Sequence, residues 1–196
     1  MNVIVLAGMP ASGKSTIANK LRATFALPVL EKDALKEEIF DTMGFQCYAE
    51  KRKSDHAANA VLLRCTRALL ENGQSVILDN NFDTESAARL DALVREFDAN
   101  CITVFFGGDA DAFYARYVER DRLHLRHLGH VLQEHYPPLP GESHDYTMTR
   151  EEFSQKFESR GMTQFRCAGA RIDIDATHPE TIDTDALIAQ IRALWK

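Results

Sequence analysis

The sequence has few of the features that mark secreted, membrane-spanning or nucleic-acid-coating proteins. Its 196 residues include four cysteines, far apart and without a Cys-x-x-Cys pair, which argues against a disulfide framework or a cysteine metal site. No apolar run approaches the roughly 20 residues that a membrane-spanning helix needs, and no signal peptide is recognisable. Basic residues are also scarce: 23 Lys and Arg against 29 Asp and Glu give a net charge of −6, which disfavours extended binding to nucleic acid. These absences predict a cytoplasmic protein with free thiols and no membrane partner.

What is present suits one globular domain. The chain is 45% hydrophobic and 27% charged, and it is long enough to bury a core without disulfides or metals. Short apolar runs alternate with helix-length periodic segments, which predicts a parallel sheet covered by helices on both faces. Strands are predicted at 2–7, 28–31, 75–79, 100–106 and 171–175. Helices are predicted at 14–25, 33–42, 52–72, 84–97, 109–125, 149–159 and 179–195. Residues 1–196 are therefore expected to form a single domain.

The strongest motif lies between the first predicted strand and the first predicted helix. Residues 8–15, GMPASGKS, fit the pattern G-x-x-x-x-G-K-[ST]. Glycines let the backbone curl so that successive N–H groups face an anion, Lys14 reaches the outer phosphates, and the Ser15 hydroxyl can bind Mg²⁺. The strand–loop–helix setting favours this interpretation over a glycine-rich turn without a ligand. The residues predicted to bind the nucleotide are Gly8, Pro10, Ala11, Ser12, Gly13, Lys14, Ser15 and Thr16.

The absence of two motifs indicates which nucleotide is bound and which reaction is expected. GTPases need an Asn-Lys-x-Asp motif to recognise guanine, and the segment at 80–83, NNFD, lacks the lysine. The strand at 75–79 ends in Asp79-Asn80, without the second acid that large motor ATPases use to activate water. We therefore expect ATP with Mg²⁺ as cofactors, and transfer of a phosphoryl group to a bound acceptor rather than fast hydrolysis.

Two carboxylates follow predicted strands and are expected at the edge of the sheet where parallel strands place their ligands. Asp33 follows the second strand and could accept the proton of an acceptor hydroxyl, although it could equally cap the next helix. Asp79 ends the third predicted strand and could hold Mg²⁺, directly or through water, or simply occupy a turn. The sequence leaves both alternatives open.

A pair of arginines precedes a Gly- and Pro-rich segment. Arg116 and Arg120 are four residues apart and share a helix face, so they could clamp a transferring phosphoryl group. Alternatively, they lie on a solvated face and pair with Glu119 and Asp121. The segment that follows, about residues 122–148, is predicted to be a lid inserted in the domain, because a closing lid brings positive charge over the phosphates.

Four histidines in this lid, His124, His127, His130 and His135, invite a metal hypothesis. Their spacing lacks a His-Glu-x-x-His pattern, so lining of an acceptor pocket, or exposure on the lid, is the better interpretation.

Together these elements resemble the P-loop small-molecule kinases, over roughly residues 1–130. Within that group the pattern is most similar to the branch that contains polynucleotide 5′-kinase, chloramphenicol phosphotransferase and zeta-toxin-like sugar-nucleotide kinases. The resemblance implies a P-loop NTPase fold of three α/β/α layers, with a five-stranded parallel sheet in the order 2-3-1-4-5. It also implies Asp33 as general base and Arg116 and Arg120 as lid arginines.

The resemblance extends to the acceptor side with two departures. Residues 126–130, RHLGH, are similar to an Arg-His-Pro-Gly-His element in lids of this group, with Leu128 in place of the proline. Lys36 stands where many members have an arginine, and a lysine cannot make the planar two-point contact of a guanidinium. Arg126, His127, His130 and Lys36 are the residues expected on the acceptor side.

The function expected from the sequence is therefore an ATP- and Mg²⁺-dependent kinase that phosphorylates a hydroxyl group of a small molecule. In this expectation Lys14, Asp33, Arg116 and Arg120 are catalytic, and Ser15 and Asp79 serve the metal. One alternative keeps the chemistry and makes the acceptor a polynucleotide 5′ end, which the acidic net charge disfavours. Another alternative is a nucleotide-binding switch or regulatory ATPase that signals to a partner protein.

Overall fold

The computed structural model describes residues 1–142 and 148–196, so residues 143–147 of the predicted lid lie outside the described residues. The strands are β1 (Asn2–Gly8), β2 (Val29–Glu31), β3 (Val76–Asp79), β4 (Asn100–Gly107) and β5 (Ala170–Asp175). The helices are α1 (Lys14–Phe25), α2 (Lys32–Met43), α3 (Tyr48–Glu71), α4 (Thr84–Glu96), α5 (Ala110–Arg122), α6 (Leu128–Val131), α7 (Arg150–Glu158) and α8 (Thr184–Ala193). None of the helices described is both long and apolar enough to cross a membrane.

The five strands form one parallel sheet in the order β2-β3-β1-β4-β5, which confirms the predicted fold. Side chains of β1 alternate between the two faces, as the pleat requires. Ile4 and Leu6 belong to one buried cluster, with α1, α5 and α8, while Val3 and Val5 belong to a second cluster, with α3 and α4. Both faces of the sheet are therefore covered, which explains why its three central strands, β3, β1 and β4, are predominantly apolar.

The sheet register brings three strand ends together. Asp79, the last residue of β3, lies opposite Leu6 of β1 on one side and Glu31 of β2 on the other. The loop after β1 and the start of α2 therefore flank the end of β3. This edge of the sheet is where an open α/β fold binds its ligands.

Several predicted helix boundaries are wrong, each for a local reason. Helix α3 begins at Tyr48 rather than at residue 52, where Glu50 accepts a hydrogen bond from the backbone N–H of Gln46 (2.8 Å). Helix α5 ends at Arg122 rather than at residue 125, because His124 adopts a left-handed conformation with φ of 51°. The last helix begins at Thr184, capped by Asp183, whereas Pro179–Thr181 form a separate 3-10 turn.

The predicted lid packs on α2. Gly129 lies so close to the buried ring of Phe40 that a Cβ added there would be 2.3 Å from Cδ2 of Phe40. Phe45 and Tyr136 form an isolated antiparallel bridge, with hydrogen bonds of 2.9 and 2.8 Å between their backbones. Only a glycine at position 129 lets the lid backbone approach α2 this closely.

Candidate active site

The ends of β1, β2 and β3 open into a crevice with a volume of about 750 Å³. Its walls are formed by the loop after β1, the first turns of α2 and α3, α5, the lid and the end of α7. Nearly all the predicted site residues line this crevice: Pro10, Ala11, Ser12, Gly13, Lys14, Ser15, Thr16, Asp33, Lys36, Asp79, Arg116, Arg120, Arg126, His127 and His130. The structure therefore brings together residues that are more than 100 positions apart in the sequence.

The loop after β1 has the backbone that an anion cradle requires. Gly8 has φ of 135°, and a Cβ added there would be 2.4 Å from the carbonyl oxygen of Phe106 on β4. Gly13 has φ of 88° and precedes α1 without a side-chain cap on the first N–H groups of that helix. Because Gly13 has no capping side chain, these N–H groups remain available to phosphate oxygens.

Lys14 folds back over this loop. Its Nζ donates to the carbonyl oxygens of Gly8 (3.2 Å) and Met9 (2.7 Å) and to Oγ of Ser12 (3.3 Å). Burial lowers the pKa of Lys14 to about 8, although Asp79 and Asp33 act in the opposite direction. A phosphate group beside this ammonium would replace carbonyl dipoles with full negative charge.

Nucleotide binding is expected to weaken as the pH rises through 8. Above its pKa of about 8, Lys14 must be reprotonated when it meets the phosphates. The Kd for Mg²⁺–ATP should therefore rise about tenfold per pH unit above pH 8 and change little below pH 7. Isothermal titration calorimetry across this range measures the effect. A Lys14→Met variant should bind weakly at every pH, and a wild-type Kd that stays constant through pH 8 would contradict this role of Lys14.

Ser15 and Asp79 meet where a metal ion would be expected. The Ser15 hydroxyl donates to Oδ2 of Asp79 at 2.7 Å, next to the phosphate cradle. Burial raises the pKa of Asp79 above its ordinary value despite Lys14 and the hydrogen bond from Ser15. A hydroxyl and a desolvated carboxylate are hard oxygen donors of the type that Mg²⁺ prefers, and a bound cation would offset the cost of the buried charge. The donor set therefore fits a magnesium ion.

Asp33 lies in the first turn of α2 and does not cap that helix. The N-cap is Glu31, which makes no side-chain capping bond, so the capping alternative is wrong. The Asp33 side chain is 62% exposed and faces the open crevice. Partial desolvation would raise its pKa, but the charges of Lys32, His130 and Lys36 outweigh this and hold the pKa of Asp33 well below its usual range. Asp33 is therefore ionised at neutral pH. The Lys32 ammonium lies 3.7 Å from Oδ1 of Asp33, and the exposed carboxylate can still accept a hydrogen bond from a ligand.

The two predicted lid arginines have different environments. Arg116 donates to three backbone carbonyls, from Nε to Ala11 (2.8 Å), from Nη1 to Thr177 (2.8 Å) and from Nη2 to Ala176 (2.9 Å). It thereby ties the phosphate loop to the segment after β5. Arg120 is exposed in the crevice, and its charge contributes to the low pKa of Lys14.

The acids next to these arginines have other partners. Glu119 pairs with Arg122 (2.6 Å), and Asp121 pairs with Arg126 (2.7 Å). The alternative in which Glu119 and Asp121 neutralise Arg116 and Arg120 is therefore not the arrangement in the structure. Of the two predicted arginines, Arg120 is the one whose guanidinium can turn toward a phosphate without giving up three hydrogen bonds.

Of the four lid histidines, His124 is exposed, and each of the other three contacts a carboxylate. His127 lies 2.9 Å from Asp41 on α2, and His130 lies 3.0 Å from Glu37 on the same helix. His135 pairs with Glu142 within the lid, and among the described residues no group of three or more His, Cys, Asp or Glu side chains could hold a metal ion. His127 and His130 thus dock the lid onto α2 beside Asp33.

A buried charge cluster behind Asp33 was not predicted from the sequence. Its centre is Asp55 on α3, whose Oδ1 accepts from Lys32 and from Lys36 (2.9 Å), and whose Oδ2 accepts from Arg160 (2.8 Å). Arg160 also donates to Asp83 at 3.0 Å. This cluster explains the role of Lys36, because a lysine sharing one carboxylate with Lys32 does not need the two-point geometry of an arginine.

Two further lysines extend this cluster into the crevice. Lys51 in the first turn of α3 donates to the backbone carbonyls of His130 (2.9 Å) and Leu132, and Lys156 projects from α7. The sequence signal that could have indicated these contacts is a spacing of four residues. This spacing places Lys51 and Asp55 on one face of α3. It also places Lys156 and Arg160 on consecutive turns. In the sequence alone that spacing is equally typical of a solvated helix face.

Residues 3–137 match the AAA domain family. The chain belongs to this family. No curated protein sequence matches it, whereas solved structures do. A candidate kinase from Chloroflexus aurantiacus is 26% identical with a TM-score of 0.81, and the match covers 100% of this chain and 98% of that one.

Two more distant structures share the architecture of this AAA domain protein. A gluconokinase from Sinorhizobium meliloti is 14% identical with a TM-score of 0.55, covering 98% of this chain and 90% of its own. Kti12 from Chaetomium thermophilum, in complex with ADP-AlF3, is 20% identical with a TM-score of 0.58, covering 98% of both chains. What they share with this chain is the P-loop fold, which agrees with the sheet order described above.

Proposed function

We propose that this protein is an ATP-dependent kinase that transfers the γ-phosphate to a hydroxyl group of a small-molecule acceptor, with Asp33 as general base. The observation that carries the proposal is an ionised, exposed carboxylate in the same crevice as the phosphate loop. Asp33 is close enough to Lys14 for its charge to act on the lysine pKa. A hydroxyl bound at Asp33 would therefore meet the outer phosphate held by Lys14.

The other residues of the crevice take supporting roles in this proposal. The backbone N–H groups of residues 10–16 and Lys14 bind the phosphates, and Ser15 and Asp79 hold Mg²⁺, which supplies positive charge on the phosphate oxygens when bound. Arg120 stabilises the transferring group, while Arg116 keeps the phosphate loop in place through its three carbonyl contacts. The family match and the kinase likenesses support this class of reaction without naming the acceptor.

A screen of hydroxylated metabolites identifies the acceptor. Purified protein with Mg²⁺–ATP is incubated with a panel of hydroxylated metabolites, and ADP release is followed. We expect ADP release to be slow without an acceptor and to be stimulated by one chemical class of acceptor. The phosphorylated product should then be detected by mass spectrometry. Hydrolysis without stimulation by any acceptor would contradict the kinase proposal and favour a nucleotide-dependent switch.

A polynucleotide 5′ end is the second acceptor that an observation favours, because the deep wall of the crevice carries several lysines and arginines. The same assay with a 5′-hydroxyl oligonucleotide tests it. Affinity for a polynucleotide should fall steeply with added salt, since several counterions are released on binding, whereas affinity for a small acceptor should fall only slightly.

A further inference from the structure

The acceptor side of the crevice has more cations than the acids around it can neutralise. We define the anion pocket by the side chains of Lys36, Lys51, Arg126, Lys156 and Arg160, which all line the crevice. Asp55 forms ion pairs with Lys32, Lys36 and Arg160. Asp121 forms an ion pair with Arg126. Lys51 and Lys156 have no carboxylate partner among the described residues.

The acids nearest to these two lysines are engaged elsewhere. Lys51 donates only to backbone carbonyls of the lid. Glu152 lies one turn before Lys156, but its carboxylate accepts from the backbone N–H (2.8 Å) and the hydroxyl (2.9 Å) of Thr149 in a capping box. The charge of Asp55 acts on both lysines and that of Glu152 interacts with Lys156, but among the described residues neither lysine forms an ion pair with a carboxylate.

The pKa values of the two lysines reflect this excess of positive charge. Burial, followed by the charges of Lys36, Lys156 and Arg126, lowers the pKa of Lys51 to about 6. Burial and the charges of Lys36, Arg126 and Arg160 lower the pKa of Lys156 to about 8. Bringing an anion into the pocket would relieve the repulsion among these groups, which makes an anionic ligand the natural complement of the pocket.

At neutral pH Lys156 is mostly an ammonium group, whereas a pKa of about 6 leaves Lys51 mostly an uncharged amine until an anion binds. A ligand with two negative charges would draw a proton onto Lys51 and pair with both lysines. A phosphomonoester carries about two charges at neutral pH and offers three acceptor oxygens, so it can meet Lys51 and Lys156 from two different helices at once. A monocarboxylate would leave one lysine unneutralised, and an uncharged polyol would leave both. The pocket opens into the same crevice as Asp33, so one small molecule can reach both.

We propose that the acceptor of this kinase already carries a phosphomonoester, which binds in the anion pocket through Lys51 and Lys156 while its hydroxyl group lies at Asp33. This proposal rests on the proposed function. It assigns Lys156 as a specificity-determining residue that touches the acceptor and not the transferring group.

The first experiment compares acceptors in matched pairs: glycerol with glycerol 3-phosphate, ribose with ribose 5-phosphate, and glucose with glucose 6-phosphate, with gluconate as a monocarboxylate. We expect ADP release to be stimulated only by phosphorylated members. For an active acceptor, Lys156→Gln should raise KM about tenfold to a hundredfold, the effect of one charged hydrogen bond, with kcat nearly unchanged. Lys53→Gln, the same charge change at an exposed site on α3, should leave both constants unchanged.

A binding experiment separates this proposal from the kinase proposal. The protein is saturated with Mg²⁺ and adenylyl imidodiphosphate, a non-hydrolysable ATP analogue that fills the phosphate loop, and inorganic phosphate is titrated by calorimetry. We expect one phosphate to bind to wild type and to Lys53→Gln, and about tenfold more weakly to Lys156→Gln. Absence of binding, equal binding to Lys156→Gln, or stimulation of turnover by uncharged acceptors alone would overturn the anion pocket while leaving a kinase. Phosphate binding without any acceptor-stimulated turnover would support the pocket and contradict the kinase.

Discussion

Replacing Asp33 by asparagine is expected to lower kcat for acceptor phosphorylation by about two to four orders of magnitude. Asparagine keeps the size of the side chain and its hydrogen-bonding oxygen, so the acceptor can still bind. It cannot take the proton that the hydroxyl loses as its oxygen attacks the phosphorus. Steady-state kinetics with saturating ATP and acceptor measure the loss.

The nucleotide side provides the internal check. Because Asp33 is a negative charge facing the phosphate site, its removal should leave the Kd for Mg²⁺–ATP unchanged or slightly lower. Glu38→Gln is the matched control, since Glu38 is an exposed acid on the same helix and makes the same charge change. A kcat for Asp33→Asn equal to that of Glu38→Gln would show that Asp33 is not the base.

The pH dependence of the wild-type reaction follows from the same carboxylate. Its pKa is held well below the usual range, so Asp33 stays ionised at pH 5 and above. Activity should therefore show no loss from protonation of Asp33 between about pH 5 and 8.

The sheet and the position of the loop after β1 were predictable because their signals are local. The central strands β1, β3 and β4 are predominantly apolar runs, and each of the five predicted strands is found within a residue of its predicted bounds. The phosphate loop needs only glycines, a lysine and a hydroxyl in one short segment. The strand order, by contrast, was implied by the resemblance to P-loop kinases, since hydrophobic runs do not specify which strand lies beside which.

The contacts of the side chains around the crevice were not predictable, because their partners are distant in sequence. Spacing places Arg116 on a helix face, but its three carbonyl partners belong to loops that the folding of β1 and β5 brings together. Lys156 and Asp55 look in the sequence like residues of solvated helices. In the structure, Phe153 on α7 packs against Tyr117 on α5, with ring centroids 5.2 Å apart, and Lys156 on the same helix lines the crevice.

Asp55 is expected to be the residue whose charge matters most for stability. Its carboxylate is buried and receives hydrogen bonds from Lys32, Lys36 and Arg160. Asp55→Asn keeps the shape but leaves three neighbouring cations without their shared counterion. Removing one partner from a buried ionic cluster costs about 3–5 kcal/mol. For a chain of this size, that corresponds to a Tm lower by at least about 6 °C.

Urea unfolding of Asp55→Asn and of Glu96→Gln separates buried from surface charge. Glu96 pairs with Arg67 at the surface, so its loss should cost less than about 1 kcal/mol.

The contribution of Asp55 to the free energy of unfolding should also decrease as the pH falls. Its folded pKa is held far below the value of about 4 for an unfolded aspartate, so its stabilising contribution is complete above that pH. The contribution is lost as the pH falls further toward the folded pKa, so the difference between wild type and Asp55→Asn should shrink only below about pH 4. A difference that is already small at pH 7 would mean that the three cations find other partners and that Asp55 does not organise the wall behind Asp33.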